Sequence, residues 1–344
     1  MSYGLKSWAN WVLEEEESMK HFKLAYDLGI NTWDTANVYS NGISEVLVGK
    51  AIKELKIPRE NLVLLTKVSF PLVFMTVADD PNVHPSKLQD PDSQGYVNRH
   101  GLSRKHIFDS VKASLERMGV DYVDVLQCHR FDAETPLEET MDALHDVVKA
   151  GYARYIGMSS CWAWQFHAMQ NYAKSKGGKP CNLTRHLQRG FTMHLGSSTD
   201  PPSSDIDFYS PIYREEEREM FPTVKLFGCG VIPWSPLARG FMTRPWREQG
   251  NTERGKSDPN FAKFVGLGNP AGNVEKIAKD RGVSMAQVSL AWVLAQPTVT
   301  APIIGSTRVE AIKELAQATH LKLTEEEIKA ISEPYKPRGI LGHS

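Results

Sequence analysis

The feature that most constrains this chain is a repeated exchange between short apolar runs and longer segments of helical period. "NLVLLTK" (61–67) is a nearly continuous apolar run, as in a strand buried on both faces. Residues 14–28 place Met19, Phe22, Ala25, Tyr26 and Leu28 near helical spacing behind four glutamates, and Gly29 ends that helix. The same reading predicts helices over 44–56, with Ser44 as N-cap, and over 103–118, 137–149, 162–173 and 214–227. Further helices are expected over 271–281, 285–295, 309–318 and 325–331. Strands are expected over 30–33, 61–67, 122–128, 153–158, 231–234 and 301–304.

Strand and helix alternate at spacings suited to right-handed βαβ units, which implies a parallel sheet. With a remnant expected within 174–207, seven strands are countable, favouring a closed (β/α)8 TIM barrel over an open doubly wound sheet. No GxGxxG follows the first strand, and Gly266-Leu267-Gly268-Asn269 is too short and misplaced to replace it. At 344 residues the chain suits one barrel domain spanning 1–344. Two stretches interrupt the pattern. Residues 71–101 form a Pro-, Asp- and Asn-rich loop long enough to be functional, and 174–207 has neither helical period nor a convincing strand.

Composition excludes several function classes. A formal charge of -1 with scattered Lys and Arg argues against nucleic acid or an anionic membrane as main partner. No apolar run approaches a membrane span, and the opening MSYGLKSWANW carries no secretory signal, so a cytoplasmic protein is expected. The Asn182-Leu183-Thr184 sequon is then accidental. Cys128, Cys161, Cys181 and Cys229 form no CxxC, which suggests reduced thiols rather than disulfides or a metal site.

In a (β/α)8 barrel, residues just past the C-terminal strand ends face the active site. That rule selects Asp34 after "INTW", Lys67 ending "NLVLLT", His129 after "VDVLQC", Ser159 and Ser160 after "YIGM", and Ser235 after "VIPW". Tyr39 lies on the turn after Asp34. Each has an ordinary structural reading: a turn cap for Asp34, a snorkelling lysine for Lys67, a rim histidine for His129, a core tyrosine with a wet hydroxyl for Tyr39. Four such residues meeting at one barrel end by chance is the harder account.

"INTWDTANVYSNGISEVLVGKAI", "LVLLTK", "DVLQCHR", "YIGMSS", "VIPWSPLARGFMT" and "PIIGSTRVEAIKEL", taken in order, resemble the successive motifs of the aldo-keto reductase superfamily. "CHRFD" and "IPWSPLARGF" are similar to a fungal-type branch near versiconal hemiacetal acetate reductases and aryl-alcohol dehydrogenases. The resemblance implies NADPH-dependent reduction of a small-molecule aldehyde or ketone, in secondary metabolism. It makes Tyr39 the general acid, Lys67 the ammonium that lowers the phenol's pKa, Asp34 the partner of Lys67 and a cofactor contact, and His129 the group that orients the substrate carbonyl.

For the cofactor, the resemblance implies Ser159 and Ser160 at the carboxamide and Trp234 stacked on nicotinamide. Ser235, Pro236, Leu237, Arg239 and Gly240 would line the pyrophosphate, with Arg244 as an added contact. Gly305, Ser306, Thr307 and Arg308 open the last barrel helix, where Arg308 suits a 2′-phosphate and Glu314 the adenine amine. A solvated helix-start arginine is the competing account of Arg308. Trp8, Trp11, Trp162 and Trp164 are candidate pocket walls, with Trp8 and Trp162 the substrate contacts; for Trp164, packing is the preferred account.

Two departures from the family pattern stand out. Relatives carry a first strand before the point where this chain opens, so a barrel lacking most of strand 1 is expected. They also end a strand in a carboxamide-binding Gln before "YREEEREM", where this chain has "STDPPSSDIDFYSPI"; Gln188 does not fit that context. Imperfect exon boundaries near 180–206 or a genuine insertion would account for the anomaly. The alternatives to a working enzyme are a catalytically weak nucleotide-binding regulatory subunit and an inactive truncated reductase.

Overall fold

Six parallel strands hydrogen-bond in strict sequence order: β1 (Thr32–Asp34), β2 (Val63–Val68), β3 (Val123–Cys128), β4 (Ala153–Ser159), β5 (Ser204–Ile206) and β6 (Gly230–Val231). The computed structural model describes residues 1–68, 92–176, 204–248 and 270–343. The helices are α1 (Glu15–Asp27), α2 (Ile43–Glu54), α3 (Arg104–Met118), α4 (Leu137–Lys149) and α5 (Ala163–Ser175). Then follow α6 (Met220–Phe227), α7 (Pro270–Arg281), α8 (Met285–Leu294), α9 (Val309–Gln317) and α10 (Glu325–Ser332). The chain is therefore α/β with a parallel sheet, and among the described residues the sheet is not closed.

Side chains alternate along each strand, and the two faces differ. Leu64, Val68, Leu126 and Cys128 join a large core with the helices. Leu65, Val125, Ile206 and Ile232 form a small apolar cluster on the other face. One row further along that second face, Lys67 stands beside Gln127 in register. The same alternation that buries Leu65 and Val125 thus carries two polar side chains to the C-terminal end of the sheet.

Several expectations are corrected. Helix α2 starts behind Gly42 (φ 92) rather than on a Ser44 cap; Ser44 instead accepts a 3.0 Å hydrogen bond from the Thr35 hydroxyl. The helix expected over 214–227 is divided into a 3-10 turn, Glu215–Glu217, and α6, whose first turn contains Pro222, a residue without an N–H to continue an earlier helix. Residues 301–304 form no regular strand. Thr300 N–H reaches Val231 O at 2.8 Å and Ile303 N–H reaches Pro233 O at 2.8 Å, but Pro233 and Pro302 lack the donors a continuous ladder needs. The expected strand within 174–207 falls on its last residues, as β5. Most of that stretch, with Asn182, Cys181 and Gln188, lies outside the described residues, as do 69–91 and Gly266–Asn269. Cys128, Cys161 and Cys229 are buried and form no disulfide among the described residues, and burial pushes the Cys128 thiol up to about 12.

Candidate active site

The strand ends bring Asp34, Lys67 and His129 together with Tyr39. Lys67 donates to both carboxylate oxygens of Asp34 at 2.6 Å and to Thr35 O at 2.8 Å. The Lys67 side chain is only 3% exposed, so a snorkelling role is ruled out. Its Nζ lies 5.3 Å from the centre of the Tyr39 ring, and the Tyr39 and His129 rings meet edge-on at 5.8 Å. Tyr39 is aimed by a tight turn in which Ser40 and Asn41, both at φ 49, and Gly42 take left-handed backbone. Such strain in non-glycine residues is typical of functional sites.

Electrostatics differ from expectation at one point. Burial raises the Tyr39 phenol above its ordinary value, and the lowering by Lys67 and Arg130 does not overcome it, in part because Asp34 opposes them. Lys67 lowers the phenol as expected, but burial is the largest influence and sets the net direction upward. Burial pulls Lys67 down, but Asp34 and Tyr39 outweigh it and hold the ammonium charged. Burial, then the charges of Arg130 and Lys67, keep His129 well below the usual histidine range, so it is a neutral imidazole at pH 7.

The remaining strand-end residues form a second group. Ser159 donates to Ile206 O at 2.8 Å, and the Ser160 hydroxyl accepts from Trp234 Nε1 at 3.1 Å. Ile206 occupies the end of β5, and its side chain joins the apolar cluster, in keeping with the expectation that this stretch carries no carboxamide-binding Gln. Trp234 stacks on Phe208 at 4.8 Å, with the Arg239 guanidinium 5.7 Å from its ring. The following loop holds Ser235, Ala238, Arg239 and Gly240 at positive φ (52, 48, 57 and 98), passing Pro236 and Leu237 on the way. Backbone of this kind forms concavities that bind anions. Burial, and after it the charge of Arg308, depress the Arg244 guanidinium, so the two cations are near enough to repel one another. An anion would relieve that repulsion. Gly305, Ser306 and Thr307 lead into α9, where Ser306 caps the Arg308 N–H at 3.0 Å, and Glu314 is half-buried on the helix. These residues fit a dinucleotide phosphate.

The tryptophans divide. Trp8 is buried and Trp11 half-buried, whereas Trp162 is 39% and Trp164 65% exposed. Packing does not account for Trp164, which touches Phe131 at 6.2 Å but is otherwise largely in solvent.

Other contributors were not foreseen. Asp132 accepts from Leu102 N–H at 2.7 Å, Glu134 N–H at 2.9 Å and the Thr135 hydroxyl at 2.6 Å, pinning the loop after His129. The C-terminal tail crosses the site: a Cβ on Gly342 would sit 3.3 Å from Trp234, and His343 lies 3.1 Å from Glu216 and edge-on to Trp162 at 5.0 Å. Nothing in a tail of Pro, Lys, Arg and Gly signals this docking. Gln127 donates to Asp34 at 3.4 Å; its strand parity with Lys67 is a signal that could have found it.

A family profile described as the aldo/keto reductase family matches residues 1–336. The chain belongs to the aldo/keto reductase family. It is 42% identical to versiconal hemiacetal acetate reductase of Aspergillus parasiticus, over 99% of this chain and 93% of that protein. It is 41% identical to aldo-keto reductase dtxS3 of Metarhizium robertsii, over 99% of this chain and 87% of that protein. A Schizosaccharomyces pombe protein provisionally named an aryl-alcohol dehydrogenase is 43% identical, over 99% of this chain and 92% of that protein. Membership of the aldo/keto reductases makes the chain an oxidoreductase of small-molecule carbonyl compounds, in a family that uses nicotinamide cofactors. Among the described residues no helix is long and apolar enough to cross a membrane.

Proposed function

We propose that this aldo/keto reductase is an NADPH-dependent enzyme that reduces an aldehyde or ketone to an alcohol. The proposal includes a single (β/α)8 barrel domain over residues 1–344, a cytoplasmic location, and a role in secondary metabolism, the last supported by the name of the Aspergillus relative. The observation that carries the reading is the buried Lys67–Asp34 pair beside Tyr39 and His129.

Tyr39 is the proton donor to the carbonyl oxygen. Its raised pKa keeps the phenol protonated at neutral pH, ready to act as an acid. Lys67 then stabilises the phenolate left behind, and Asp34 fixes the ammonium in place. Neutral His129 carries one ring N–H that orients the carbonyl without adding charge. NADPH supplies the hydride when bound. Ser159, Ser160 and Trp234 would hold its nicotinamide end. Ser235, Pro236, Leu237, Arg239, Gly240 and Arg244 would hold the pyrophosphate, and Gly305, Ser306, Thr307, Arg308 and Glu314 the adenosine phosphate end. Trp8 and Trp162 are the substrate walls.

The test is NADPH consumption against a panel of aldehydes and ketones, with Tyr39→Phe as control. The parent turns over, and the variant loses on the order of 10²–10⁴-fold, the usual contribution of a positioned general acid. Equal rates in both would remove Tyr39 as the donor. One observation favours a second reading, a nucleotide-binding subunit of weak activity: the tail places Gly342 against the Trp234 indole. NADPH binding without turnover on any carbonyl is the result that selects it.

A further inference from the structure

Gln127 is a polar side chain at 0% exposure, next to last in a strand whose residues Val125, Leu126 and Cys128 are all apolar and buried. Burying an amide costs free energy unless it is hydrogen-bonded, and its Oε1 has no hydrogen-bond partner among the described residues. A leucine or methionine would satisfy packing without that cost. The amide therefore needs another explanation, and its position supplies one.

Gln127 is in register with Lys67 on one side and with Gly157 on the other, so a residue without a side chain leaves room beside it. Its Nε2 lies 3.4 Å from Asp34 Oδ1, the same oxygen that accepts from Lys67 at 2.6 Å. A carboxylate can only accept, which sets the amide with its NH2 toward Asp34. Lys67 on β2 thus faces Asp34 on β1, while Gln127 reaches the same carboxylate from β3, on the far side of the Lys67 strand.

We infer that Gln127 is a positioning residue of the proton-donor set, acting on Tyr39 through Asp34 and Lys67. This rests on the proposed function above. By donating to Oδ1, the amide takes up part of the carboxylate's charge and limits how strongly Asp34 counters the Lys67 ammonium. The ammonium then retains more of its field at the Tyr39 hydroxyl. Without the amide, Asp34 holds Lys67 more tightly, phenolate is less stabilised, and Tyr39 gives up its proton at higher pH.

The sign is measurable in alcohol oxidation, the reverse reaction, where phenolate is the base and the rate rises with pH to a plateau. In Gln127→Met, which keeps the volume and removes the donor, the midpoint of that rise moves up by about half a pH unit or more. At a fixed pH on the rising limb the rate falls several-fold, because the phenolate population drops about tenfold for each pH unit the midpoint climbs. Gln127→Asn keeps an amide but is too short to reach Asp34, and shifts the same way; it decides the matter if Gln127→Met does not fold. NADPH affinity, read by quenching of tryptophan fluorescence, stays within about two-fold in both.

An unmoved midpoint overturns the inference, whether the rate is unchanged or lowered equally at every pH, because a merely structural role lowers rate without moving the profile. The parent and Tyr39→Phe are measured alongside. Parent turnover that collapses in Tyr39→Phe while the Gln127 variants keep the parental midpoint defeats this inference alone. No turnover in the parent defeats the proposed function and this inference with it.

Discussion

Lys67 and Asp34 form a bidentate ion pair, with both N–O distances 2.6 Å, between side chains that are 3% and 12% exposed. Two charges this far from water owe their presence to each other. Desolvating either alone costs several kcal/mol, and the mutual attraction offsets this only while both remain.

That relationship predicts an asymmetric mutant cycle. Asp34→Asn leaves the Lys67 ammonium buried beside a neutral amide and destabilises the fold by roughly 3–5 kcal/mol. Asp34→Leu combined with Lys67→Met removes both charges and recovers most of that loss, with activity abolished. Chemical denaturation of the three proteins measures it. A double variant less stable than the single one would show that the pair stabilises the fold outright.

Stability also depends on pH through buried histidines. Burial lowers His21, His106 and His129 below the ordinary value of 6.5 in the folded state. The unfolded chain therefore binds more protons than the folded one below about pH 6.5, so stability is full above that value and declines as pH falls through it. The thermal midpoint is expected to fall steadily from pH 7 to pH 5. His106→Gln removes one of the three titrations and flattens the slope. A midpoint constant over this range would mean the histidines protonate in place.

Cofactor preference should depend on Arg308. If it meets a 2′-phosphate, Arg308→Ala loses a charged hydrogen bond of about 1.5–3 kcal/mol, raising the Kd for NADPH roughly 10- to 150-fold. The Kd for NADH, which lacks that phosphate, changes little. Titration with both nucleotides separates the cases, and an equal loss for both would return Arg308 to the solvated helix-start reading.

Much of the site was legible because strand parity and strand ends are written locally. Asp34, Lys67 and His129 each follow an apolar run, and period-2 alternation places Lys67 one row beyond Leu65. Helices α3, α4 and α8 were legible for the same reason: their apolar spacing is a property of a single segment. The breaks came where one residue altered the backbone, as Pro222 did in dividing the helix expected over 214–227, and Pro233 and Pro302 in interrupting the ladder beside β6. Trp164 departs from its sequence reading because an aromatic residue in a helical pattern reads as core, while its exposure depends on what crosses in front of it.

By itself, then, the amino-acid order determined where β1 to β4 run, which side chains share a face, and which polar residues stand at the strand ends. Those properties arise from covalent geometry and neighbours a few positions away. Only the tertiary structure decided the rest. Burial outweighs Lys67 in setting the Tyr39 pKa, Gln127 reaches Asp34 across 93 positions of chain, and the tail carries Gly342 to Trp234. Desolvation and long-range contact depend on how segments pack, and no local pattern encodes them.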